Sequence, residues 1–470
     1  MVRSSDSIVP RFLALTSAEG VARIIAFAGT VYLARILGAD LYGTIGFSTA
    51  VLIYLARIVD GGIDLGIGVR EMAAHPEITV ERAPAIITIR LIAAVILSAV
   101  VAAVAMLLLP APDNMVLALF SLTLIPVGAS ARWILVGMEK TRVVAAARAA
   151  GEAVMVLLVI AFVRGRTDLL YAPISQFAGD ALAAVILLWW VIRQGIHLRV
   201  AFDWDAVRPL AARSVPLVGS ALLGLLIYNS DLIFLRFLRD RESVGLYAVA
   251  YALVSFIANM GVAYFLTLLP GLTRTTEDLD DHRAVYHTAT AHVFAVGFPI
   301  AVGGALLSTQ IINTIFGSGY SESASALRIL VWAIPVSLLR DVPVISLLAR
   351  GREDRILRLT AWAAALSIAL NLLLIPPFGL IGAAAATVVT ETFRMLVAVV
   401  AVRPYGIPLT TMSRFWKPTV AAGVMAAALI LISPSSMWIA VAIGTGAYIA
   451  TLALLGGISL RPGALPALNV

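Results

Sequence analysis

Arg23, Arg57, Arg90 and Arg340 stand inside long apolar stretches of this 470-residue chain. An arginine at the centre of a membrane helix costs roughly 2.5–3.5 kcal/mol on insertion scales. Four facing lipid would cost on the order of 10–14 kcal/mol, comparable to the whole stability of a domain. They must therefore meet a partner or a wet cavity. Spacing supplies some partners. Glu19 precedes Arg23 by four residues, one helical turn away on the same face. Arg57, Asp60 and Asp64 follow an i, i+3, i+7 pattern, and Asp341 follows Arg340 directly. Asp231 closes the polar run Tyr228-Asn229-Ser230. Two chemistries fit these residues. The arginines could grip an anionic ligand, since a planar guanidinium fork matches phosphate and stays charged. In that case Glu19, Asp60, Asp64 and Asp231 would bind a coupling proton or sodium ion, or balance the arginines. Alternatively the pairs could tie helices together and do nothing more. Glu152, Asp180 and Glu391, near mid-depth in their segments, read as structural polar pairs of this second kind.

Other chemistries lack their residues. There is no cysteine, so thiolate metal sites, disulfides and cysteine nucleophiles are excluded. The five histidines show no metal-ligand spacing, and no nucleophile elbow is present. Gly61, Gly62, Gly66 and Gly68 are not followed by a P-loop lysine, so they read as a bend or a close helix contact. No catalytic residue, metal or organic cofactor is expected, and the chain reads as a non-enzyme.

The elements that must carry the charges are membrane helices. Apolar residues make up 61% of the chain and charged ones 13%, with a mean hydropathy of +0.98. A soluble domain carries about 25% charged residues. The hydropathy pattern predicts an all-α membrane protein with about fourteen spans: 12–37, 41–68, 83–110, 114–136, 143–163, 169–192, 211–238, 243–270, 288–316, 324–349, 357–377, 379–402, 418–433 and 436–457. The stretch 418–433 is the shortest. The first apolar run is too long for a signal-peptide core and reads as a retained helix. With the N-terminus in the cytoplasm, arginine and lysine favour the cytoplasmic connections by roughly three to one, Arg394 being counted among them. That bias predicts both termini inside, and it assigns the net charge of +7 to loops rather than to nucleic-acid binding.

The chain also repeats itself. LARILGADLYG, from Leu33, and FLRFLRDRESVGLY, from Phe234, share one plan, with Arg35 matching Arg236 and Gly43 matching Gly245. GMEKTRVVAAARAAG from Gly137 and GREDRILRLTAWAAA from Gly351 form a second pair in the same order. Two six-helix lobes, 1–200 and 201–405, related by an axis along the membrane normal, account for both matches. Residues 406–470 add two further helices.

YLARILGADLYGTIGFSTA (32–50), DLIFLRFLRDRESVGLYAVAYAL (231–253) and PPFGLIGAAAATVVTE (376–391) resemble motifs of the polysaccharide-repeat (Wzx-type) flippases. These belong to the multidrug/oligosaccharidyl-lipid/polysaccharide exporter superfamily. The resemblance runs over roughly residues 10–405 and implies paired bundles that alternate between inward- and outward-open states. It implies a polyprenyl-pyrophosphate-linked sugar as cargo, the bacterial inner membrane as location, and membrane lipid and other polysaccharide-assembly proteins as partners. It also implies a cavity lined by basic residues, a role that falls here to Arg23, Arg57, Arg90 and Arg340. The two extra helices are similar to those of lipid II flippase relatives, in which an added pair forms a groove for the lipid tail. Two other functions remain open on sequence: an ion-coupled drug exporter of the same fold, favoured by Asp60, Asp64 and Asp231, and a membrane sugar polymerase or glycosyltransferase.

Overall fold

In the computed structural model, residues 8–407, 414–459 and 467–468 are described, with most side chains from Gly20 onward. Glu19, and with it the pairing to Arg23, lies outside the described side chains. Apart from one two-residue antiparallel pairing, Ile458–Ser459 with Ala467–Leu468, the described secondary structure is helical.

The first helix, α1 (Ile8–Asp60), has 53 residues. At 1.5 Å per residue it would run roughly 80 Å, more than twice the ~30 Å hydrocarbon core of a bilayer. It is broken at Gly38, whose φ of 77° and ψ of 169° are open to glycine alone. After Asp60 the chain turns through Gly61 and Gly62, both at positive φ, into a π-helical turn, Ile63–Ile67, and α2 (Gly68–Ala74). The expected straight span 41–68 thus ends at Asp60, and the glycines make the bend. They also pack closely: a Cβ on Gly62 would lie 2.9 Å from Ser214 Cβ. Next come α3 (Pro76–Leu108), then α4 (Asp113–Ser121), α5 (Leu124–Ala129) and α6 (Arg132–Gly137), which share one crossing. They are followed by α7 (Thr141–Phe162) and α8 (Tyr171–Arg193).

α9 (Trp204–Leu238) leads through a short turn to α10 (Arg241–Arg274), with the Asp240 carboxylate accepting from the Ser243 amide at 2.7 Å. α11 (Leu279–Leu306) follows. α12 (Ser308–Ile315) comes next, and the stretch 316–327 holds a short 3-10 turn, Ser318–Tyr320, and the start of α13 (Ser323–Leu330), which continues into α14 (Ala333–Ala349). α15 (Glu353–Val402) again is too long for one crossing. Pro376 and Pro377 withhold two amide donors, and Gly379 turns the chain at φ 55°. Its two halves then pack so tightly that a Cβ on Gly382 would lie 2.1 Å from the Leu374 carbonyl oxygen. α16 (Trp416–Ile432) and α17 (Met437–Leu454) complete the chain.

Among the described residues, eleven helices are long and apolar enough to cross a membrane. Two of these, α1 and α15, are broken at glycine and cross twice. The shorter α16 then brings the crossings to fourteen. Side chains that water would not tolerate line the outside: Leu107 is 82% exposed, Leu431 83% and Leu454 87%. This is a multi-pass membrane protein.

The chain divides into two compact units, Met1–Leu225 and Leu226–Val470, the division falling inside α9. In the first, α7 and α8 cross at Gly151 and Gly179, where a Cβ on either would meet the other's carbonyl oxygen at 2.6 Å. Such small-residue contacts let backbones approach where no hydrophobic force drives association. In the second, α16 and α17 pack on α11 through Met425, Leu429 and Tyr448, whose hydroxyl donates to the Ala295 carbonyl at 2.6 Å.

Candidate functional site

The bend after Asp60 builds the charged site of the first unit. Because the chain turns there, the Asp64 amide donates to Asp60 Oδ1 at 2.9 Å, and both carboxylates come round one guanidinium. Arg90, on α3 and 5% exposed, places Nη2 3.4 Å from Asp60 Oδ1 and 3.6 Å from Asp64 Oδ2. It also caps the break between α5 and α6, with Nη1 to the Ser130 carbonyl at 3.2 Å and Nη2 to the Val127 carbonyl at 3.1 Å, while its Nε is buried with no partner among the described residues. Asp60 Oδ2 and Asp64 Oδ1 are buried and find no hydrogen-bond partner among the described residues. Arg57 is half-buried one turn before Asp60 and acts on it electrostatically. The structure therefore brings Arg57, Asp60, Asp64 and Arg90 together, as a carboxylate pair around one guanidinium with spare acceptor capacity. Arg23 is half-buried on α1.

The same unit holds a cavity of about 530 Å³ between α5, α6, α7 and α8, lined among others by Arg132, Arg148, Glu152, Gln176 and Asp180. Gln176 Nε2 donates to Asp180 Oδ2 at 3.1 Å. Glu152 and Asp180 thus border open space, a placement that their sequence setting did not signal.

The second unit has two buried networks. In one, Arg340 on α14 donates through Nε to Asp341 Oδ1 at 2.9 Å, through Nη1 to the Tyr228 hydroxyl at 2.6 Å, and also to Glu391. Arg394, one turn beyond Glu391 on α15, donates to Glu391 Oε1 at 2.6 Å and to the Tyr228 hydroxyl at 2.7 Å. Two arginines and two carboxylates balance around one phenol. Arg394, counted with the loop arginines on sequence, lies inside this network because Glu391 holds it there.

In the other network, Asp231 on α9 is 1% exposed. Its Oδ2 accepts from the Tyr247 hydroxyl and the Thr387 hydroxyl, each at 2.6 Å, and its Oδ1 accepts from Asn371 Nδ2 at 2.9 Å. Asn371 Oδ1 is buried with no partner among the described residues. Side chains from α10 and both halves of α15 thus gather round one carboxylate of α9, each donating a hydrogen bond to it. Sequence reasoning found Asp231 and missed Tyr247, Asn371 and Thr387. Among the described residues no group of three or more histidines and carboxylates could hold a metal ion.

One further cavity in the second unit, about 540 Å³, is almost wholly apolar. Ile257 of α10, Pro299 and Ile300 of α11, and Met425, Val441 and Tyr448 of the last two helices are among its walls.

Known proteins share these features at the level of fold. The solved structure titled lipid II flippase MurJ, inward closed conformation, superposes with a TM-score of 0.80 over 94% of this chain and 98% of that one, at 15% identity. An inward-facing multidrug resistance MATE family transporter of the MOP superfamily gives 0.66 over 84% and 99%, at 12% identity. Among curated relatives, the probable flippase AglR of Haloferax volcanii is 28% identical over 207 residues, 43% of each chain. The teichuronic acid biosynthesis protein TuaB of Bacillus subtilis is 23% identical over 197 residues, 39% of this chain and 41% of its own. The match spans less than half the length of either relative. The family model described as polysaccharide biosynthesis protein matches residues 9–276, more than half of the sequence, and the chain belongs to that family.

Proposed function

We propose that this protein is a flippase: it carries a polyprenyl-pyrophosphate-linked oligosaccharide across the bacterial inner membrane by alternating access, without catalysing a reaction. Both chain termini would lie on the cytoplasmic side, beside other polysaccharide-assembly proteins. The observation that carries the choice of a lipid-linked cargo is the apolar cavity of about 540 Å³ walled by α16 and α17. A polar drug has no use for such a wall, whereas a polyprenyl tail does. The relatives named as flippase and as teichuronic acid biosynthesis protein support the same reading.

The arginines divide by exposure. Arg90 and Arg340 are enclosed by their own carboxylates and carbonyls and would hold the helices in register. Arg23 and Arg57, half-buried, are the groups proposed to meet the pyrophosphate. Coupling to a proton or sodium ion is assigned to Asp231, with the spare Asn371 oxygen as an added ligand, and to the Asp60–Asp64 pair. An ion bound there moves the inward–outward equilibrium only by its differential affinity for the two states.

The test is the sidedness of lipid-linked oligosaccharide in a strain lacking the gene. Build-up on the cytoplasmic leaflet should be reversed by the intact gene and not by an Arg23→Ala/Arg57→Ala variant expressed at the same level. Normal lipid-linked sugar together with new sensitivity to cationic drugs would instead identify an exporter, for which Asp60 and Asp64 would form the site.

A further inference from the structure

Where α14 passes into α15, Gly351 at φ +65° makes a tight turn that gathers three arginines around one phenol. The guanidinium carbons of Arg350, Arg352 and Arg355 lie 5.4, 5.8 and 5.0 Å from the centre of the Tyr405 ring. Each cation gains from the ring face, but three like charges so close repel one another. The local acceptors cover only part of them. Arg355 Nη1 donates to the Ala401 carbonyl at 3.2 Å, and Asp354 stands 3.3 Å from Arg352 Nε while also binding Arg358 at 3.0 Å. Arg350 Nε and Nη2 and the Tyr405 hydroxyl are buried and find no hydrogen-bond partner among the described residues. Buried donors on a cation are costly to leave unmade. Arg283 is drawn to the same turn, donating to the Gly406 carbonyl at 2.7 Å with Asp280 paired to it at 3.1 Å, and His282 is tied to Ser346 at 2.8 Å.

We infer that Arg350, Arg352, Arg355 and Tyr405 form a site for an anionic phosphate group, carried by the headgroup of an acidic membrane lipid or by free phosphate. A phosphate offers acceptors in several directions, which suits donors converging from a helix end, a helix start and the Arg403–Tyr405 turn. Its level also fits. The cluster sits where the apolar run of α14 stops, the depth at which headgroup phosphates lie and basic side chains recognise them. The site uses none of the residues assigned to cargo or coupling ion, and the inference does not rest on the flippase reading.

The experiment uses the full chain purified in neutral detergent. Phosphatidylglycerol binding is titrated by native mass spectrometry, with zwitterionic phosphatidylcholine as the reference. Inorganic phosphate is titrated separately by the shift in melting temperature. The variants are Arg350→Gln, Tyr405→Phe and, outside the cluster, Arg328→Gln. Preferential binding of phosphatidylglycerol, weakened at least about tenfold in Arg350→Gln by loss of its charge-assisted hydrogen bonds, and unchanged in Arg328→Gln, establishes a lipid headgroup as occupant. Protection by inorganic phosphate with the same dependence on Arg350, and no preference for phosphatidylglycerol, establishes free phosphate instead. Should Arg350→Gln fail to fold, Tyr405→Phe decides, since it removes only a hydroxyl and should still weaken binding severalfold. Binding of neither probe, or binding indifferent to Arg350 and Tyr405, overturns the site.

Discussion

Replacing Glu391 by alanine should destabilise the second unit more than any other single change to its charged residues. The carboxylate is 1% exposed and takes a hydrogen bond from each of two guanidinium groups, Arg340 and Arg394. Without it, two arginines face the single carboxylate of Asp341, and a net positive charge remains among groups that are 8% and 15% exposed. Breaking a buried pair in this way costs about 3–5 kcal/mol, because the stranded ion cannot recover its hydration. The double change Arg340→Met/Glu391→Leu removes one charge of each sign and restores neutrality, so it should cost less than Glu391→Ala alone. Equilibrium unfolding of the full chain in mixed micelles, followed by tryptophan fluorescence, measures both. A Glu391→Ala protein within about 1 kcal/mol of the parent, or a double variant no more stable than the single one, would refute the view that Glu391 closes a balanced network.

Three further outcomes are expected. Gly38→Ala places an L-residue at φ 77°, ψ 169° and sets a Cβ 3.1 Å from the Arg166 guanidinium, so it should lower stability by about 1–3 kcal/mol, measured in the same unfolding assay. Gly151→Val forces a branched side chain against the Gly179 carbonyl at the α7–α8 crossing and should leave little folded protein, read as loss of the monodisperse peak on size exclusion. Asp231→Asn keeps the volume and some of the hydrogen bonds but not the charge. It should abolish the dependence of transport on proton or sodium gradients in reconstituted vesicles while folding is retained. Persistence of that dependence would move the coupling site elsewhere.

What the sequence made legible follows the length scale of its signals. Hydropathy summed over some twenty residues located fourteen crossings, including the short one that became α16, because lipid punishes every misplaced polar residue in a window. Pro376, Pro377 and Gly379 announced the turn inside α15 through backbone chemistry that is local. Side-chain partners were visible only along one helix. Asp60 and Asp64 were paired by their spacing, and they do share a partner, yet through a bend that the spacing rule does not contain. Arg90, from a different helix, could not be joined to them without knowing how α3 is rotated. The same blindness hid Tyr247, Asn371 and Thr387 around Asp231, which arrive from 16, 140 and 156 residues away.

Arg394 was read as a loop charge because arginines near a helix end usually extend their heads to water. Its inward course is dictated by Glu391, itself drawn in by Arg340 on another helix. In this network each buried charge therefore fixes the placement of the next. Arginines that neighbouring helices have neutralised cannot also take up and release an anion without paying again for their own desolvation. For the lipid-linked cargo proposed above, the phosphate is expected at an arginine less enclosed than Arg340, and half-buried Arg57, beside an Asp60 already engaged by Arg90, meets that condition.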